Sequence, residues 1–296
     1  MIVNWLLTVL TLGLYYPWAK ARKLQYLYSA TEFKNIPFAF HGTGKEMFKG
    51  FIKAILIFII LWGVFFLLIF MKMPFLGIVI LYLGILAIIP LAIHGSYRYR
   101  MSRTSWSGIR MGYRGDRNKL FGIYFKSLFF TILTFGIYGA WLIMNLRNYL
   151  LNNIRLGSLR FAYHGNGGDY FLINLKGYLL SIVTLGIYFF WWQKDLLNFY
   201  INNMSIIDES NNKKLNLQNK ATGGGIAGLT IVNILLFIFT LGLAYPWIVC
   251  RTMNFIFSNV AISGDINMSA ITQTEADYND ATGEDLTDLL DFGFVI

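Results

Sequence analysis

The sequence predicts a membrane all-α, multi-pass fold of about six transmembrane helices, with short interfacial β-strands between spans and internal repeats. Three observations predict it. Apolar residues make up 56% of the 296 residues and charged residues 14%, whereas a soluble domain carries about 45–50% and about 25%. Six charge-free runs have spanning length or come close to it. One aromatic motif recurs four times. The composition also excludes intrinsic disorder, collagen and a disulfide-stapled secreted module.

A crossing helix needs about 20 apolar residues. The first run, 1–19, has 19 residues. The second and third, 54–71 and 73–93, have 18 and 21. Lys72 and Pro74 punctuate them, which predicts a tight helical hairpin. The fourth, 127–146, has 20 residues and the fifth, 177–193, has 17. The sixth, 221–250, has 30, and Gly223, Gly224 and Gly225 are expected outside its helix. Lys53, Lys126 and Lys176 stand where runs begin, so their side chains can snorkel to headgroups. Residues 1–264 thus form a repeat-built transmembrane domain, with the hairpin at about 51–93 as an insertion. Residues 265–296 form an acidic C-terminal tail holding eight of the 15 acids.

The recurring motif is Thr-Leu-Gly-Leu-Tyr-Tyr-Pro-Trp at 11–18. It returns as Thr-Phe-Gly-Ile-Tyr-Gly-Ala-Trp at 134–141, Thr-Leu-Gly-Ile-Tyr-Phe-Phe-Trp at 184–191 and Thr-Leu-Gly-Leu-Ala-Tyr-Pro-Trp at 240–247. Tyr and Trp favour the membrane–water interface. Tyr15, Trp18, Tyr138, Trp141, Tyr188, Trp191 and Trp247 are therefore expected as interfacial anchors. The glycines let another helix approach closely, and Thr can bond back one turn and bend its helix. Anchoring with helix packing, or a ligand site built from these rings, both fit the motif.

A second element repeats. Ile-Pro-Phe-Ala-Phe-His-Gly-Thr-Gly at 36–44 matches Leu-Arg-Phe-Ala-Tyr-His-Gly-Asn-Gly at 159–167, with a weaker copy at 109–116. Apolar residues alternate with period two, which predicts short strands closed by a Gly turn. Unpaired strand edges are costly in lipid, so the copies are expected to pair with one another in a small interfacial sheet. His41 and His164 occupy equivalent turn positions, and Arg114 replaces them in the weaker copy. That replacement argues for a hydrogen-bonding or headgroup role over a metal site.

These repeats resemble the bacterial YjgN-like inner-membrane family, a domain of unknown function. The acidic ending Thr-Gly-Glu-Asp-Leu-Thr-Asp-Leu-Leu-Asp at 282–291 is similar to the tails of such proteins. The resemblance spans nearly the whole chain. It implies a multi-pass protein of the bacterial inner (plasma) membrane and supplies no activity, cofactor or catalytic residue. The missing first strand and Ala244 in place of Tyr are departures from the repeat pattern.

With all six runs spanning, loops on one side hold 17 of the 25 Lys and Arg, against five on the other. The positive-inside rule then puts both termini outside. A rival arrangement keeps all strands on one side, leaves only the 51–93 hairpin crossing, and makes the fourth to sixth runs re-entrant or interfacial. Full run length favours six spans.

Chemistry is sparse. The segment His-Gly-Thr-Gly-Lys at 41–45 fails as a phosphate loop, because Ala39 and Glu46 occupy required positions. No serine elbow or HExxH pair occurs, and the six runs hold no Asp or Glu. Cys250, the lone cysteine, reads as a small buried hydrophobe. Arg98, Arg100, Arg103, Arg110, Arg114, Arg117 and Lys119, interleaved with Tyr97, Tyr99, Trp106 and Tyr113, are expected as a basic belt facing anionic headgroups, or else as a site for a phosphate-bearing ligand. His41, His164, Arg98, Arg100, Arg103 and Arg114 are the candidate headgroup or ligand contacts. No catalytic residue, metal or cofactor is expected, and the chain leans away from being an enzyme. The expected partners are the bilayer with its anionic lipids and a membrane protein or second copy, not nucleic acid. Thr282 and Asp285 could open a short capped turn in the tail. Transport of a small solute or lipid-related molecule is the leading functional expectation, because many carriers are built from repeats. A non-transporting scaffold or assembly factor is the alternative, and a lipid-headgroup enzyme the third.

Overall fold

The fold was read from a computed structural model, which describes residues 2–209, 213–264 and 271–275. The chain divides into two compact units. One comprises Val3–Phe121 with residues 273–275, and the other the described residues of Gly122–Thr272.

The first unit begins with α1 (Ile2–Leu10) and α2 (Tyr16–Ser29), then β1 (Glu32–Phe33) and β2 (Ile36–Phe40). Two long helices follow, α3 (Gly44–Phe70) and α4 (Pro74–Ser102), then β3 (Thr104–Trp106) and β4 (Ile109–Tyr113). Thr43 caps α3 reciprocally with Glu46, satisfying two end groups at once. The four strands pair antiparallel in sequence order, with Phe38 opposite Trp106 and Phe40 opposite Thr104. Ala21, Phe40, Met47 and Tyr99 form a buried cluster, flanked by Leu24 and Tyr28. α2 is thereby packed on its own strand.

The second unit takes in most of α5 (Arg117–Leu133), then α6 (Gly139–Asn152), β5 (Ile154–Leu156) and β6 (Leu159–Tyr163). It continues through α7 (Gly167–Val183), α8 (Phe189–Asn202), β7 (Met204–Asp208) and β8 (Lys213–Asn219). It closes with α9 (Gly223–Phe239), α10 (Tyr245–Ser258) and β9 (Val260–Ser263). Strands β5 to β9 again pair antiparallel in sequence order. Met144, Tyr163 and Phe199 are the buried centre.

This topology fixes sidedness within each unit. In an antiparallel sheet of sequential strands, alternate connections lie at opposite ends. The tight β-turns close β1–β2 and β3–β4 in the first unit, and β5–β6 and β7–β8 in the second. The helical hairpins therefore all leave the other end of their own sheet.

The six-span all-α expectation is overturned. Among the described residues there are ten helices and nine strands, and only α3 and α4 are long and apolar enough to cross a membrane. The other four runs are each folded in two at the Thr-x-Gly of the aromatic motif. Strands β2, β4 and β6 occupy the three alternating segments. They pair with the strands between them rather than with one another. The expected tail, 265–296, lies outside the described residues except for 271–275, as do Thr282 and Asp285.

Candidate membrane-insertion site

Five helical hairpins end in turns of one design. At the end of α1, the N–H of Gly13 donates to Thr8 O and that of Leu12 to Val9 O. These are the two bonds of a Schellman turn. The same pair recurs with Gly136 on Thr131 and Phe135 on Ile132, Gly186 on Ser181 and Leu185 on Ile182, and Gly242 on Phe237 and Leu241 on Ile238. It recurs once more after α3, with Met73 on Leu68 and Lys72 on Ile69.

The residue at the left-handed position separates these hairpins into two kinds. In the four short ones it is Leu12, Phe135, Leu185 and Leu241, with φ of 50°, 51°, 50° and 49°. These side chains are 94%, 99%, 93% and 92% exposed. A non-glycine residue here costs roughly 1–2 kcal/mol, and an apolar one gains nothing in water. At the tip of the long α3/α4 hairpin the residue is exposed Lys72, with φ of 59°.

The short tips also satisfy their backbone internally. The hydroxyl of Thr11 donates to Leu7 O at 2.7 Å and accepts the N–H of Tyr15 at 3.0 Å. Thr134, Thr184 and Thr240 repeat both bonds across their own turns. Such closure is what an apolar medium demands of a helix break.

The expected anchors sit one turn past each tip. Tyr15 stacks on Trp18, Tyr138 on Trp141 and Tyr188 on Trp191. A Cβ on Gly44 would meet the Trp18 ring at 2.4 Å, and one on Gly167 the Trp141 ring at 2.5 Å. Each of these tryptophans thus seats the start of the next helix. Trp247 is 63% exposed.

The candidate contacts fall in separate places. In the first unit, His41 is exposed, its backbone N–H donates to Arg103 O at 2.7 Å, and its Nε2 lies 2.7 Å from Ser105 Oγ. Arg103 makes two bonds of 3.3 Å to the Glu46 carboxylate, which also accepts the Tyr99 hydroxyl at 3.1 Å. Arg98 and Arg100 lie half-buried at the end of α4. Arg114 pairs with Glu275 at 2.9 Å. In the second unit, exposed His164 donates its backbone N–H to Asn203 O. It repeats the backbone role of His41.

One cluster was missed from sequence. Arg147 lies 4.0 Å from the centre of the Tyr200 ring and 5.3 Å from that of Tyr163. The Tyr200 hydroxyl donates to that of Tyr170 at 3.3 Å. Burial pushes the Tyr163 hydroxyl up to about 12 and the Tyr200 hydroxyl higher still, so both stay neutral near pH 7. The signal was in the repeat register: six residues after the motif Trp stand Leu24, Leu197 and Met253, but Arg147 in the second copy.

The family described as "Bacterial protein of unknown function (DUF898)" matches residues 1–161, 158–211 and 192–289. Inner membrane protein YjgN of Salmonella typhimurium is 34% identical over 113 residues, 38% of this chain and 27% of that protein. Inner membrane protein YjgN of Escherichia coli K12 is 30% identical over 132 residues, 45% of this chain and 31% of that protein. The match thus spans less than a third of the length of these relatives. No solved structure matches the chain.

Proposed function

The chain belongs to the YjgN-like DUF898 family of bacterial proteins, and from that premise we propose that it is a non-transporting scaffold of the bacterial inner membrane. The α3/α4 hairpin crosses the bilayer. Each short hairpin enters the bilayer part-way, and the strands of each unit remain at the cytoplasmic end of their own hairpins, built from repeated strand–hairpin modules.

The carrying observation is the match between hairpin length and tip chemistry. α3 has 27 residues, about 40 Å of helix, against a hydrocarbon core of about 30 Å. It arrives at the far headgroups, and its tip is Lys72. Charge-free α9, beside the Leu241 tip, runs 17 residues or about 25 Å. The stretches beside the other three short tips, such as 127–133 and 139–146, are at most about 14 Å long. Those stretches are shorter than the half-thickness of about 15 Å, and all four short tips are Leu or Phe. Among the described residues, Lys72 is the one basic side chain at a hairpin tip, which agrees with the positive-inside rule. The names of the relatives support the compartment. A carrier is less well supported, because that expectation drew on internal repeats and Gly-bearing helices, and repeats occur in scaffolds as well.

The test is depth. With Cys250 replaced by Ser, a nitroxide on Leu185→Cys or Phe135→Cys is measured in proteoliposomes. The reading expects strong relaxation by oxygen and little by a polar nickel chelate, with the reverse at Lys72→Cys. Chelate access at Leu185→Cys equal to that at Lys72→Cys would remove it.

A further inference from the structure

Arg147 makes no side-chain hydrogen bond among the described residues. Its Nε is buried without an acceptor, and its neighbours are the faces of two tyrosine rings. Arg103, by contrast, spends its planar fork on Glu46, Arg155 meets Glu209 at 2.6 Å and Arg114 meets Glu275. A buried guanidinium N–H without an acceptor is costly. Ring faces offset part of that cost but leave the N–H edge unsatisfied.

Packing does not require the cation. The first unit fills equivalent positions with Leu24, Phe40 and Met47, where the second has Arg147, Tyr163 and Tyr170. The three substitutions change an apolar contact into one guanidinium among hydroxyls. Tyr200 donates its proton to Tyr170, so the Tyr170 hydroxyl keeps a hydrogen to give. Arg147, Tyr170 and Tyr200 are all partly exposed, so a ligand can reach them. A forked cation beside a hydroxyl donor suits a tetrahedral oxyanion. Arg147 also stands where the charge-free part of α6 ends, at headgroup level if the tips insert.

We propose that Arg147, together with the Tyr170 hydroxyl that the Tyr200 side chain bonds, binds a phosphate group, carried by a lipid headgroup or free in solution. The lipid source rests on the insertion reading above, and the free source does not.

The experiment uses the full chain in a neutral detergent, with inorganic phosphate and short-chain phosphatidylglycerol as separate probes. The readout is the rise in thermal unfolding midpoint along each titration. The wild type is expected to respond to at least one probe. A response to lipid alone identifies a headgroup, and a response to inorganic phosphate identifies the free anion. Arg147→Leu, which installs the residue of positions 24 and 197, should abolish the response. Arg147→Lys should weaken it about tenfold, since an ammonium lacks the bidentate fork, and Tyr170→Phe should weaken it less. Silence of the wild type to both probes overturns the proposal, as does an unchanged response in Arg147→Leu. Should the Leu variant not fold, wild-type affinity in Arg147→Lys overturns it instead. Nitroxide depth at Leu185→Cys separates the two readings: shallow tips with intact phosphate binding sink insertion alone, and deep tips with an indifferent Arg147 sink this proposal alone.

Discussion

The hydroxyl oxygen of Thr134 accepts the backbone N–H of Tyr138 at 2.9 Å, joining the helices on either side of a turn. The same hydroxyl donates to Phe130 O at 2.7 Å. One side chain thus satisfies a donor at the start of α6 and shares an acceptor of α5. Thr134→Val keeps the shape and removes both bonds. It should cost about 1–3 kcal/mol, the penalty for stranding a desolvated backbone group, read by reversible unfolding in bicelles. Thr134→Ser, which retains the hydroxyl, should cost less.

Tip chemistry should be asymmetric to exchange. Leu185→Lys places an ammonium within the leaflet and should destabilise the membrane-bound protein by about 2–3 kcal/mol. Lys72→Leu, at the far headgroups, should change stability by less than about 1 kcal/mol. Equal effects of the two, measured in the same bicelles, would count against insertion to different depths.

Glycines on these helices differ in what a methyl would meet. In Gly167→Ala the new carbon would lie 2.5 Å from the Trp141 ring and 2.8 Å from its Cα. Overpacking of that kind costs about 1–3 kcal/mol. Gly228 faces open space within α9, so Gly228→Ala should stabilise by about 0.5–1 kcal/mol through helix propensity. Thermal midpoints of the two variants should therefore move in opposite directions.

Stability should fall in alkali through Tyr163. Its folded value of about 12 lies above the ordinary 10.0 because burial disfavours the phenolate. Between those values the folded state holds more protons than the unfolded one, so stability drops as pH rises. The contribution is complete below pH 10 and lost by about pH 12. Tyr163→Phe should flatten the decline over that window, and tyrosinate absorbance should lose one of its late-titrating components.

The α3/α4 hairpin was legible because Lys72 and Pro74 interrupt two apolar runs. The strands at Ile36, Ile109 and Leu159 were legible from period-two alternation. The four folded runs were not. A helix stop is ordinarily marked by Gly in the left-handed position, but here that position holds Leu12, Phe135, Leu185 or Leu241 and the glycine follows it. Thr-x-Gly therefore read as a bend with a packing glycine inside one long helix. The Arg147 cluster was hidden for another reason. Tyr163, Tyr170 and Tyr200 come from β6, α7 and α8, and only the strand order brings them to α6. The basic belt was legible as charge, but not the pairing of Arg103 with Glu46 or of Arg114 with Glu275.

The central claim is that the strand ends share the cytoplasmic side, the short tips stop within the bilayer and the long hairpin crosses it. Thiol labelling tests all three parts. With Cys250→Ser as background, Thr43→Cys, Asn166→Cys, Phe135→Cys and Lys72→Cys are treated with a membrane-impermeant maleimide in intact cells and again after opening them. Lys72→Cys should label in intact cells, Thr43→Cys and Asn166→Cys only after opening, and Phe135→Cys in neither. Labelling of Asn166→Cys in intact cells, with Thr43→Cys protected, would contradict the account and restore alternating spans.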